Sequence, residues 1–427
     1  MLDIQRIRSE PEAIRRGLAD VGSDPTLVDR VLELDLLRRD CQREGDRLRA
    51  ELNAASKDIG REQDPARRQE LIAAVGAVKQ ALKASETRAP DVDRRLEELL
   101  LVIPNVPLPE VPVGRDESDN VVRSVHGDEP RFDFPPRPHW ALMEGLGIVD
   151  FERGQKISGS RFYVLRGEGA RLQRALISFM LDIHTRQHGY EELYPPSMVR
   201  AECLVGTGNL PKFGDNLYRD AEEDYWFVPT AEVPVTNFYR DEILDGATLP
   251  IRHVAGSPCF RREKMSHGKD TRGIKRGHQF DKVELVQFVH PDRSREALEE
   301  LTGHARRILE LLGLRHRVVD ICTGDLSFVA AKKYDLEAWA PGCGEWLEVS
   351  SCSLFLDYQA RRARIRFKDE GGKNRFVHTL NGSALALPRV LISVIESGQR
   401  ADGSVVLPEV LWPYMGGLER LERPAPR

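Results

Sequence analysis

The chain has 427 residues, 41% of them hydrophobic and 31% charged, with a net charge of −5. At about 150 residues per domain, this length predicts two or three domains with real cores and excludes a small scaffold held by disulfides or metal. The slight acidity offers no overall field for a polyanion, so a nucleotide or nucleic acid has to be met by local basic patches.

In chain order, Met1 to Ser9 (MLDIQRIRS) lacks the apolar stretch of a signal peptide. No later run approaches the roughly 20 apolar residues of a membrane helix, so a cytoplasmic protein with no membrane partner is expected. Leu34, Leu37, Cys41, Glu44, Leu48, Leu52, Ala55 and Ile59 follow a heptad spacing with one stutter. Leu71, Val75, Val78, Leu82, Ser85, Ala89, Val92, Leu96, Leu99 and Ile103 alternate steps of four and three. Residues 60–66, GREQDPA, separate the two runs. Two long helices joined by so short a turn must lie antiparallel, as a coiled-coil arm roughly 50 Å long. Pro90 removes a backbone donor and predicts a kink near Arg88. Arg38, Arg39, Arg43, Arg47 and Arg49 form either a solvated coiled-coil face or a contact for phosphates.

The arm ends in LVIPNVPLPEVPVG, residues 101–114, which cannot continue a helix. The expected layout is an N-terminal domain over 1–103, a Pro-rich linker over 104–131 and a second domain over 132–427. In that last part a helical segment, Gly169 to His188, and strand-like runs, Phe280 to Val289 and Trp346 to Val349, alternate irregularly. That pattern predicts an α+β fold with a mainly antiparallel sheet flanked by helices. Cysteines at 41, 203, 259, 322, 343 and 352 include no C-x-x-C pair. They read as reduced residues, with no zinc ribbon or disulfide framework.

Neither a phosphate-wrapping G-x-x-x-x-G-K-[ST] loop nor a complete dinucleotide fingerprint is present. A nucleotide would instead meet Cys259 to Glu284, which carries Arg261, Arg262, Lys264, Lys269, Arg272, Lys275, Arg276 and Lys282 around Glu263 and Glu284. Arginine forks bind carboxylate and phosphate bidentately, so this segment either folds over a nucleotide, reaches an RNA end or is a solvated basic hairpin. Further on, Glu348 with Ser350 and Ser351 supplies hard oxygen ligands of the kind Mg²⁺ takes. His184 and His188 stand at i, i+4, but with no third ligand in view they read as packing or surface.

Several of these stretches are long and specific. The opening MLDIQRIRSEPEAIRRGL, the arm, Thr230-Ala231-Glu232, FRRE followed by DTRGIKRGHQFDKVE, EVSSCSLFLDYQARRARIRF, HTLNGSALALPR and DGSVVLPEVLWPYMGG run from end to end. In them the chain resembles the bacterial-type seryl-tRNA synthetases, a family of class II aminoacyl-tRNA synthetases.

The resemblance implies that ATP and L-serine give seryl-adenylate and pyrophosphate, and that the seryl group then moves to the 3′ end of tRNA-Ser and also of tRNA-Sec. It implies ATP as substrate, Mg²⁺ held by Glu348 and Ser351, and a homodimer whose interface includes Gly169 to His188 and YEELYPP. Arg261 matches the motif 2 arginine between the serine carboxylate and the α-phosphate, and Glu263 an adenine contact. Phe280 and Arg389 match the two faces of an adenine sandwich. Arg261, Glu263 and Arg389 are thus the implied catalytic set. Arg262, Gly277, Val349, Ser350 and Ser351 complete the implied ATP site with Glu348. Thr230, Ala231, Glu232, Arg261, Glu284, Asn381 and Ser383 match the serine site, where Glu232 and Glu284 both suit the substrate ammonium. The arm matches the family's grip on the long variable arm of tRNA.

Three positions depart from the family pattern. Ala384 is expected to add a methyl beside the serine pocket, Pro388 to be tolerated only in a first helical turn, and Gly277 to leave a looser wall against adenosine. The rival readings are a paralogue that binds without catalysing, and an accessory copy with the same chemistry. Retention of Arg261, Glu263, Glu284, Glu348 and Arg389 favours catalysis.

Overall fold

The computed structural model describes residues 1–264 and 272–423, and the chain divides into two units, Met1–Pro104 and Asn105–Arg427. Lys269 of the basic segment lies outside the described residues.

The first unit contains α1 (Ile4–Ser9), α2 (Pro11–Asp20), α3 (Leu27–Arg61) and α4 (Pro65–Val102). The turn between the long helices is tighter than the seven residues expected, because α3 continues through Gly60 and Arg61 and Pro65 already starts α4. Proline suits that first position, where no intrahelical N–H bond is lost, and Asp64 caps the helix by accepting from Ala66 N at 3.0 Å. Such a cap contributes about 1 kcal/mol. The helix passes through Pro90 without ending.

On α4 every position of the four-three pattern within the helix is at least half shielded, with Val75, Val92, Leu96 and Leu99 fully buried. On α3 the pattern slips: Glu44 is exposed and Gly45 is buried in its place. A β-carbon on Gly45 would stand 3.8 Å from Ser85 Oγ, so the stutter turns a small residue toward the facing helix. Asp35 is buried as well, because Arg8 of α1 forks onto both its oxygens at 2.6 Å and Arg38 and Arg39 reach it at 3.0 and 3.2 Å. Most arginines of the Arg-rich stretch are exposed and paired within the arm, Arg47 with Glu44 and Glu51, Arg49 with Asp46 and Glu86.

The second unit is built on an eight-stranded sheet. Its strands are β1 (Val121–His126), β2 (Glu191–Glu192), β3 (Ile251–Phe260), β4 (Gln279–Val289), β5 (His316–Asp320), β6 (Lys332–Ala340), β7 (Glu345–Leu356) and β8 (His378–Ala386). The spatial order is β1-β5-β6-β7-β8-β4-β3-β2, antiparallel except for β2 beside β3. The α+β expectation therefore holds. The helices used below are α5 (His139–Gly145), α6 (Glu168–Gln187), α7 (Ser294–Leu311) and α8 (Tyr358–Ala363), with α9 (Leu387–Gly398) following β8.

Much of the segment expected as a linker belongs to this unit. Asn105 N donates to Phe328 O, Leu108 N donates to Ala331 O, and the Asn105 amide donates to Val329 O and Phe355 O, each within 2.9 Å. Further on, β1 pairs with β5. Prolines break the helix there, but the residues between them keep their own N–H groups for the segment that leads into β6.

Candidate functional site

Two strand pairs and two bulges make the site. The hairpin of β3 and β4 sets Phe280 opposite Cys259 and Glu284 opposite Ala255. Alternation along β4 places Phe280, Lys282 and Glu284 on one face and Val283 and Leu285 in the core on the other. On β8, Asn381 and Ser383 share the cavity face, while Gly382 between them meets Leu301 of α7; a β-carbon there would lie 2.4 Å from that side chain.

β7 contains one residue more than β6 at Val349, since Ser350 pairs with Leu336 but Glu348 pairs with Glu337. The bulge reverses the alternation, so Glu348 and Ser351, which a regular strand would point apart, meet with Ser351 Oγ donating to Glu348 Oε1 at 3.1 Å. A second bulge lies on β8, where Ser383 pairs with Glu284 and Ala386 with Lys282. It turns Leu385, which a regular strand would aim at the cavity, into the core beside Ala384, both fully buried, and leaves Ser383 and Ala386 on the cavity. Ala384 thus does not line the serine pocket as expected, because it follows cavity-facing Ser383 and strand alternation points its methyl to the opposite side.

The cavity encloses about 550 Å³. Of the residues anticipated from sequence, Thr230, Glu232, Arg261, Glu263, Gly277, Phe280, Glu348, Val349, Ser350, Ser351, Asn381, Ser383 and Arg389 line it. The others lie just behind. Ala231 is buried, Glu284 is buried beneath the floor, and Arg262 turns to the Tyr218 ring, 5.9 Å from its centroid. Pro388 sits in the first turn of α9, where it is tolerated. Gly277 packs closely: a β-carbon would come within 3.1 Å of Gln279 O and 3.3 Å of Arg161 O. The wall there is therefore tight, contrary to expectation.

Charge divides the cavity. Arg261, Lys275, Arg276, Lys282, Lys333 and Arg389 line it against Glu232, Glu263 and Glu348, so the excess is cationic. Arg261 is braced by its Nε donating to Pro229 O at 3.2 Å, with its guanidinium 5.2 Å from the Phe280 centroid. Arg389 donates to Glu348 O at 2.6 Å and stands 3.6 Å from its carboxylate. Burial alone would raise the Glu348 carboxyl, but Arg389 and then Lys333 outweigh it and hold the group below its ordinary range.

The floor is polar and connected. Asn381 Nδ2 bridges Glu232 and Glu284, Ser383 Oγ donates to Glu284 at 3.3 Å, Lys282 pairs with Glu284 at 2.6 Å, and Gln359 of α8 donates to Glu232 at 2.6 Å. Asn381 Oδ1 is buried without a partner among the described residues, an acceptor left over for a ligand's donor. Burial, then repulsion from Glu284, raises the Glu232 carboxyl to about 7.

Sequence reasoning missed Lys333 and Gln359. Lys333 carries a signal, the second of two lysines at the strand start AAKKYDL; it pairs with buried Asp335 at 3.3 Å. Gln359 carries none beyond its place in DYQARR. His184 packs as expected: its Nδ1 lies 3.0 Å from that of His188, whose ring stacks on His304 at 4.1 Å.

The profile described as tRNA synthetase class II core domain (G, H, P, S and T) matches residues 215–398, and that described as seryl-tRNA synthetase N-terminal domain matches residues 1–107. A serine--tRNA ligase of Herpetosiphon aurantiacus is 56% identical over 422 residues, covering 99% of this chain and 100% of its own. The chain belongs to the seryl-tRNA synthetase family. A solved seryl-tRNA synthetase of Pyrococcus horikoshii, complexed with ATP, is similar with a TM-score of 0.95 and 38% identity, covering 100% of both chains. The cytoplasmic serine-tRNA ligase of Naegleria fowleri, in complex with AMP, gives a TM-score of 0.89 at 33% identity over 99% of each. For a seryl-tRNA synthetase, an excess of cations above a floor of paired carboxylates is the division of charge that a triphosphate and a small amino acid require. Among the described residues of this seryl-tRNA synthetase, no helix is long and apolar enough to cross a membrane.

Proposed function

We propose that the chain activates L-serine with ATP and transfers the seryl group to the 3′-terminal adenosine of tRNA-Ser. The observation that carries this reading is one cavity lined by six cationic and three acidic side chains, one of them Glu232 of the Glu232–Asn381–Glu284 floor. In the first step a serine carboxylate oxygen forms a bond to the α-phosphorus, the bond from that phosphorus to the bridging oxygen breaks, and pyrophosphate leaves with the electron pair. In the second, a terminal ribose hydroxyl attacks the acyl carbon and AMP departs.

Arg261 spans the two reactants, drawing the carboxylate toward the α-phosphate and neutralising charge that grows in the displacement. Phe280 offers a face for adenine, with Arg389 on the other and Glu263 at its edge; Arg262, Gly277, Val349 and Ser350 complete that wall. Glu232 and Glu284 receive the serine ammonium or hydroxyl with Thr230, Ala231 and Ser383, and the vacant Asn381 Oδ1 accepts a further donor. A pocket whose polar groups are satisfied only by the substrate hydroxyl rejects alanine.

Glu348 and Ser351 fit Mg²⁺, being hard oxygen donors 3.1 Å apart on one face, and would hold it with the phosphates. Bound there, the ion supplies charge neutralisation of the triphosphate. The reading extends by family resemblance to tRNA-Sec, to a cytoplasmic location and to a homodimer joined through α6 and the stretch around β2, in which the coiled-coil arm grips the tRNA by shape and phosphates.

The test is ATP–pyrophosphate exchange across amino acids, followed by charging of tRNA-Ser. Exchange stimulated by serine above threonine and alanine is expected; exchange with no preference for serine sinks the reading.

A further inference from the structure

Away from the cavity, a buried carboxylate ties three distant segments together. Glu396, on α9 two turns beyond Arg389, is fully buried. Its Oε1 accepts from His139 N at 2.7 Å, His139 Nδ1 at 3.0 Å and Cys343 Sγ at 3.0 Å. Its Oε2 accepts from Gly342 N at 2.8 Å and Cys343 N at 3.0 Å. The far nitrogen of the same imidazole, His139 Nε2, accepts from Ile274 N at 3.3 Å.

His139, Cys343 and Glu396 have the composition of a metal site. The Ile274 bond decides against one. A backbone N–H can only donate, so Nε2 is the acceptor and the imidazole proton sits on Nδ1, facing Glu396. A cation among the three would find no lone pair there. The set is a chain of hydrogen bonds running from α9 through the imidazole to the backbone of residue 274.

That backbone leads directly into the cavity wall, since Lys275, Arg276 and Gly277 line it. Gly273 has φ +81, and a β-carbon on it would fall 2.1 Å from His139 Nε2, so the main chain lies flat against the ring. Arg272 stands 5.2 Å from the Trp140 centroid, and Lys275 pairs with Glu345 at 2.7 Å.

We propose that His139 is a positioning residue for the ATP half of the site: held by Glu396, it fixes the Gly273–Gly277 segment so that Lys275 and Arg276 face the triphosphate. This rests on the ATP reading above. It gives α9 two duties, presenting Arg389 at its start and anchoring the opposite wall through Glu396.

Two variants separate the links. His139→Asn keeps a donor near Glu396 but has no atom to accept from Ile274, whereas His139→Gln reaches that N–H with its amide oxygen. In serine-dependent exchange, H139N should raise KM for ATP about three- to tenfold, the value of one neutral hydrogen bond, with KM for serine little changed. H139Q should bring KM for ATP back toward the wild-type value. An unchanged KM in H139N, or an H139Q no better than H139N, overturns the proposal. Hydrogen exchange at the Ile274 amide gives a readout independent of activity and of the variants' folding: it should be protected in the wild-type protein and, where the variant folds, released in H139N. A fast-exchanging amide in the wild type overturns the clamp, whereas a wild type that is inactive with serine yet protected at Ile274 sinks only the functional reading. Added Co²⁺ should give no thiolate absorption; a band that Cys343→Ser abolishes would overturn the tautomer.

Discussion

Glu232 and Glu284 are joined by a single amide, Asn381 Nδ2, which donates to the first at 2.9 Å and to the second at 2.7 Å. Glu284 has Lys282 as a counter-ion at 2.6 Å. Glu232 has Gln359 instead, so burial and the neighbouring carboxylate act on it with less compensation, and its carboxyl rises to about 7.

The first consequence concerns pH. A serine ammonium remains cationic between pH 6 and 8, while Glu232 becomes ionised across that window, so KM for serine should fall about tenfold as pH rises. The stability effect has the opposite sign. A raised carboxyl pKa stabilises the fold fully below the ordinary value of 4.5, and that contribution is lost as pH rises through about 7. Glu232→Gln should flatten both profiles, read by exchange kinetics and by melting curves from pH 5 to 8.

Arg261→Ala should lower serine-dependent exchange by about a thousandfold, because the group is placed to meet charge that develops only in the displacement. Among the described residues its side chain is anchored by the bond to Pro229 O and the Phe280 ring, so the melting temperature should stay within a few degrees of wild type. Near-normal exchange in this variant would refute its assignment.

Shortening the arm tests the tRNA grip. Replacing residues 50–81 with a tight turn keeps the Asp35 cluster near the start of α3 and the Arg49–Glu86 pair between the two helices. Exchange should be unchanged, while kcat/KM for tRNA-Ser should drop by about a hundredfold as phosphate and shape contacts disappear. Full charging by the shortened protein would mean that the grip lies elsewhere.

Ala384→Gly should leave discrimination between serine and its analogues unaltered, because the Ala384 side chain faces the core. It should cost about 1 kcal/mol of stability through backbone freedom and a small void. Inhibition by serine hydroxamate and denaturant unfolding are the measurements, and a shift in the inhibition constant would contradict the core-facing placement of Ala384.

Much of this protein is written in its residue order, because helix and strand periodicities are local. The four-three spacing of α4 became its shielded face, the alternation of QFDKVELV became the two faces of β4, and of the cations around FRRE Arg261, Lys275, Arg276 and Lys282 line the cavity. The motifs also carried the family resemblance.

Only the tertiary structure decided the rest, since it depends on phase and on distant partners. One extra residue in β7 brings Glu348 to Ser351, and one in β8 turns Leu385 into the core and Ala386 to the cavity; a spacing rule that assumes a regular strand gets both wrong. The proline-rich stretch after the arm bonds to the segment leading into β6 because its acceptors, Phe328 O and Ala331 O, come from far along the chain. Likewise His139 and Glu396 stand 257 positions apart in the chain and 3.0 Å apart in space. Periodicity fixes which face a side chain takes within one element, but a hydrogen bond between elements exists only once packing has brought donor and acceptor together.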